Sequence, residues 1–116
     1  MKNLQTTDEI ITQSETLQLY HKLILQLNKD FQRAAITEAF LETVSPSELK
    51  SKLQEIVFDL YQNHNSEYLN LLYIIDVSEK KIKNIEGKDM VEISKQITYL
   101  ILLREWQKVW FKEKYK

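Results

Sequence analysis

Apolar residues return every three or four positions along most of this chain, the spacing that gathers them on one side of an α-helix. Ile10, Leu17, Tyr20, Ile24 and Leu27 keep that step, and Leu19 and Leu23 widen the stripe into the broad face of a bundle helix. The pattern predicts a first helix over 8–28. Asn28-Lys29-Asp30 offers a break in which Asp30 can cap a second helix over 31–43. That second helix would put Phe31, Ala35 and Ala39 on one row, with Ile36 and Phe40 on the next. Whether it is separate or a bent continuation of the first is left open by the pattern.

The clearest boundary is Ser45-Pro46-Ser47-Glu48, which joins an N-cap serine, a proline at the first helical position and a glutamate three residues after the cap. A third helix follows over 46–62, with Leu49, Leu53, Ile56, Val57 and Leu60 on one face. Residues 66–85 form the fourth. Residues 71–77 resemble a buried strand in composition, but no other segment would pair with one, so helix is preferred. Asp76 or Ser78 can cap a new start there, which predicts a break near 76–78 and a short helix over 79–85 ending with Gly87 at its C-terminal stop. Asp89 and Glu92 open a last helix over 89–114, about 39 Å long. The first and third come to about 25–31 Å, so the last is expected to project beyond its neighbours.

Composition agrees. The 116 residues include one glycine and one proline, too few for the tight turns of a sheet-rich fold. The expectation is an all-α protein, a compact bundle of four to five helices in a single domain over 1–116, with residues 1–7 disordered. Hydrophobic residues are 43% and charged residues 28%, a globular balance. No cysteine is present, which removes disulfides, thiol nucleophiles and Cys-ligated metals and suits a reducing cytoplasm. The N-terminal residues lack a secretory h-region, and the apolar run 99–103 is far short of the ~20 residues a membrane span needs. A soluble cytoplasmic protein is expected.

The net charge of −1 hides an asymmetry. Residues 1–78 carry 6 basic and 11 acidic side chains, whereas 79–116 carry 10 and 6. The last third is therefore the basic part of the molecule.

Candidate chemistry is sparse. His21 and His64 belong to no helical pair with metal-ligand spacing, so no metal or cofactor is expected. Glu38/Glu42 and Glu55/Asp59 are each four apart and read as wet helix faces. Arg33 and Arg104 do not head the Arg-x4-His motif of the helical HEPN ribonucleases, because the sixth positions are Glu38 and Val109. A helix-turn-helix over 35–54 would place Glu38, Glu42 and Lys52 where apolar residues are needed. Its recognition helix would also be acidic.

The last helix alone carries residues that packing does not obviously require. Tyr99, Trp106, Trp110, Phe111 and Tyr115 are interleaved with Lys108, Lys112, Lys114 and Lys116. Trp106 and Trp110 either close the end of the core or, with their neighbours, form an aromatic and basic surface for a partner. The expectation is a non-enzymatic interaction or self-associating module, with a second copy or another protein as partner. The alternative is a small nucleic-acid-binding protein, using lysines for phosphates and aromatic rings for bases. No small molecule is indicated, and a membrane surface is disfavoured by Glu105 and Glu113 on the same helix.

Overall fold

Among residues 3–116, which the computed structural model describes, every regular element is a helix. In chain order these are α1 (Thr7–Thr16), α2 (Tyr20–Arg33), α3 (Pro46–Asn63), α4 (Asn65–Ile75), α5 (Glu79–Lys83) and α6 (Met90–Lys114). The all-α bundle expected from the pattern is therefore present. Helix α6 lies at its centre and packs against all five others. Its 25 residues extend about 38 Å, which matches the longest dimension of the molecule, 36 Å. No helix among the described residues is long and apolar enough to cross a membrane.

The sequence-predicted caps act as caps. Ser45 Oγ accepts from the Glu48 amide at 3.3 Å with Pro46 at the first position of α3, and Asp89 accepts from the Glu92 amide at 2.8 Å. Ser78 does the same for α5, and Thr6 for α1. These bonds satisfy amides that the first helical turn leaves without partners.

Two predicted boundaries are corrected. The helix over 8–28 is two helices separated at 17–19, and the helix over 31–43 is absent. Helix α2 instead runs straight through 28–30, so Asp30 is an interior residue and not a cap. The cause is the same at both ends. Gln18 and Ala35 each take φ of 60°, the left-handed region. The next amide then bonds five residues back around the turn, Leu19 to the Ser14 carbonyl at 2.7 Å and Ile36 to the Phe31 carbonyl at 2.9 Å. Asp76, at φ 71°, closes α4 identically through Val77 and the Leu72 carbonyl. This is the Schellman closure, usually given to glycine. Here the apolar residue after each left-handed position, Leu19, Ile36 or Val77, is buried at 7–8% exposure. That burial offsets the ~1–2 kcal/mol cost of a left-handed L-residue.

Residues 34–45 are thus an irregular strap, and side chains satisfy its backbone. The Asn28 amide both donates to and accepts from the Phe40 backbone at 2.8 Å. Tyr20 donates to the Val44 carbonyl at 2.6 Å, and Asn70 donates to that of Ala34 at 3.3 Å. Phe40 still reaches the core, its ring 5.7 Å from that of Phe31.

The N-terminal segment also differs from expectation. Residues 1 and 2 lie outside the described residues, but Leu4 is buried and its carbonyl accepts from Tyr99 Oη at 2.7 Å. Thr7 is already helical. Gly87 does not stop a helix either, since α5 ends at Lys83 and no glycine has positive φ. Its backbone passes close under α6, where a Cβ would stand 2.8 Å from Ile93 Cγ1.

Candidate functional site: the C-terminal half of α6

The structure divides the aromatic and basic residues of α6 into two groups. Trp106 is fully buried, and Tyr99 is half-buried and tied to Leu4. Burial, reinforced by Glu9, raises the Tyr99 hydroxyl above its ordinary pKa of 10.0. Lys108 reaches back to α2 and pairs with Asp30 Oδ2 at 2.6 Å. Lys112 donates to Gln26 Oε1 at 2.8 Å. All four therefore hold α6 to its neighbours.

Trp110, Phe111 and Tyr115 form the second group. Phe111 and Tyr115 are 48% and 71% exposed, whereas Trp110 is half-buried. Their rings make one continuous cluster, Trp110 edge-on to Phe111 at 5.2 Å and Phe111 stacked on Tyr115 at 5.9 Å. Lys114 Nζ stands 4.6 Å from the Trp110 ring centre and 5.8 Å from that of Tyr115. Nearer the middle of α6, Leu100, Leu103, Arg104 and Gln107 lie on the same helical side, where residues 76–81 flank them. Arg104 binds the Asp76 carbonyl and carboxylate there at 3.1 and 3.2 Å. Beyond Gln107 that flank ends, and the aromatic cluster begins.

The opposite side of the same turns faces α2 across an open groove of about 400 Å³. Leu25 and Val109 are its apolar residues, and Lys22, Lys29, Lys112 and Lys116 rim it with Glu113 as the one acid. Lys22 and Lys116 both bond Glu113, at 2.6 and 2.8 Å, which holds that carboxyl below its ordinary range. The last turns of α6 are thus braced by the start of α2 and do not overhang the bundle freely, as the length arithmetic suggested.

A buried ionisable cluster beneath this surface escaped the sequence reading. Asp30 and Glu105 are both wholly buried. Lys108 lies 3.1 Å from Glu105 Oε1, but neither Glu105 oxygen gains a well-directed hydrogen bond from it, and Asp30 Oδ1 and Trp106 Nε1 also lack partners. Burial, and then the bond and charge of Asp30, push the Glu105 carboxyl well above its ordinary 4.5. Burial also acts to raise Asp30, but bonds from Glu105, Lys108 and Gln26 outweigh it and leave that carboxyl below 3.8. The one buried site thus pushes the two carboxyls apart, Glu105 upward and Asp30 downward. The periodicity did carry a signal. Asp30 follows Leu23 and Leu27 at the helical step, and Glu105 falls between Ile101 and Val109 on the buried side.

The other candidates stay apart. His21 is exposed, and His64 meets Asp59 at 3.6 Å on the surface. Glu55 is exposed, and Glu38 and Glu42 sit on the strap and not on a helix. Among the described residues no three His, Asp or Glu side chains converge as metal ligands. No family model, curated protein or solved structure matches this chain.

Proposed function

We propose that this chain is a non-enzymatic protein-interaction module that associates through the aromatic end of α6, with a second copy of itself as the partner. One observation carries the reading: Phe111 and Tyr115 are stacked and exposed on a helix end that α2 braces. Rings already ordered by their neighbours lose little entropy on docking, and burying each is worth about 2 kcal/mol. The reading includes a cytoplasmic location, where a chain without cysteine forgoes no crosslink.

Nucleic-acid binding draws less support. Lys108 and Lys112, two of the lysines that reading uses, are engaged by Asp30 and Gln26. Light scattering on the purified protein tests the proposal. A dimer at high micromolar concentration that Phe111→Ser with Tyr115→Ser dissociates supports it. A strict monomer overturns the self-association.

A further inference from the structure

The irregular strap and α3 enclose an open groove of about 570 Å³, a size in the ordinary range of binding clefts. Leu41, which is 77% exposed, and half-buried Val44 give it apolar surface from the strap. Glu48 and Glu55 line it from α3, and neither forms an ion pair among the described residues. The Ser45 hydroxyl donates to Glu48 at 3.1 Å, a bond that leaves the carboxylate charge uncompensated. Lys52 is the one base among the lining residues, and it is turned onto the strap. Its ammonium donates to the Ala39 carbonyl at 2.6 Å and stands 5.1 Å from the Phe40 ring centre. The groove is thus apolar on its strap side and acidic on its α3 side.

The aromatic end of α6 has the opposite make-up. Phe111 and Tyr115 present stacked, exposed rings. Around them Lys112, Lys114 and Lys116 outnumber Glu113, and Lys114 has no acidic partner among the described residues. The same division runs through the chain, with acids in excess over 1–78 and bases over 79–116. Rings match the strap side of the groove, and the ammonium beside them matches its carboxylates. No residue of α6 lines the groove, so the two surfaces are separate on one copy. The end of α6 is also tied to α2, through Lys22–Glu113 at 2.6 Å and Lys112–Gln26 at 2.8 Å, which keeps it from folding back into its own groove.

We infer that the aromatic end of α6 docks in the strap/α3 groove of a second copy, with Phe111 and Tyr115 against Leu41 and Val44 and with Lys114 against Glu48 and Glu55. The inference rests on the self-association proposed above and names the surface that the rings meet. Two different surfaces join in this contact, so each pairing leaves one aromatic end and one groove free. The contact is heterologous: copies add head to tail, and growth stops only where a ring closes. Salt weakens it, because its specificity comes from exposed charges.

Sedimentation at low salt tests it with two variants that each keep one surface. Phe111→Ser with Tyr115→Ser keeps the groove, and Leu41→Arg with Glu55→Lys keeps the aromatic end. All four positions are exposed, so the core is untouched, and circular dichroism checks that both variants remain helical. Each variant alone is expected to associate at least about tenfold more weakly than the wild type. Their mixture is expected to form a one-to-one complex that grows no further, because the intact groove of one receives the intact aromatic end of the other. A Leu41 and Glu55 variant that self-associates like the wild type, or a mixture that stays monomeric, overturns the inference. The proposed function then still stands if the Phe111 and Tyr115 changes dissociate the assembly. An assembly that survives those two changes overturns both, as does a strict monomer.

Discussion

Asp30 on α2 and Lys108 on α6 meet at 2.6 Å, and the Asp30 side chain has no exposure to solvent. Removing the lysine leaves a buried carboxylate beside Glu105, with Gln26 at 3.1 Å and Arg33 at 3.6 Å. Lys108→Met is expected to destabilise the fold by about 3 kcal/mol, the usual scale for breaking a buried pair from one side. Adding Asp30→Asn removes the stranded charge and recovers most of the loss. Urea unfolding of the single and double variants checks the coupling.

Glu105 sets the dependence on pH. Its folded pKa is raised above 4.5, so the folded state holds a proton that the unfolded state releases. Stability is therefore fully present below 4.5 and declines as pH rises from there through the folded value. Asp30 acts oppositely, since its folded pKa lies below 3.8 and its contribution disappears as pH falls past that point. Unfolding midpoints should peak in mildly acid solution. Glu105→Gln, which keeps the neutral form, flattens the decline on the alkaline side and leaves the acid limb unchanged.

The two tryptophans report different places. Trp106 is fully buried and Trp110 half-buried. Acrylamide quenching in the wild type is expected to be carried by Trp110, so Trp110→Phe leaves a weakly quenched, blue-shifted emission and Trp106→Phe leaves the accessible one. Trp106→Ala costs about 3–5 kcal/mol by opening a cavity in the centre of the bundle. Equal quenching in the two Phe variants would place Trp106 at the surface.

Ala35 and Gln18 are strained in a way that a smaller residue relieves. Both are exposed and sit at φ of 60°. Glycine there avoids the Cβ clash, and part of that gain is lost to its freer unfolded chain. Ala35→Gly and Gln18→Gly are each expected to stabilise the protein by about 0.5–1 kcal/mol, read as a higher urea midpoint at unchanged slope.

These two residues also explain which parts of the fold were legible. The starts of α3 and α6 were plain because Ser45, Pro46, Glu48 and Asp89 are residues that cap by their own chemistry. The ends of α1 and α2 were hidden because Gln18 and Ala35 carry no turn signal, and tertiary burial of Leu19 and Ile36 fixes them. Asn28 and Asp30 were misread as a break since both are good turn residues. In the fold they bind Phe40 and Lys108 across space. At the candidate surface, spacing put Phe111 and Tyr115 at the end of α6. It could not show that Lys108 and Lys112 answer to Asp30 and Gln26, which are 78 and 86 residues away in sequence.

Every other helix rests on α6, yet α6 is the last of the six to be synthesised. Until residues 97–109 emerge from the ribosome, α1–α4 can close only on one another, without the central helix against which each of them packs. At translation rates of about 5–20 residues per second, that interval lasts a few seconds. During it the leucines and isoleucines of α2 and α3 are open to solvent and to holdase chaperones. Arrest of translation inside α6 is therefore the condition under which this chain is most prone to aggregate.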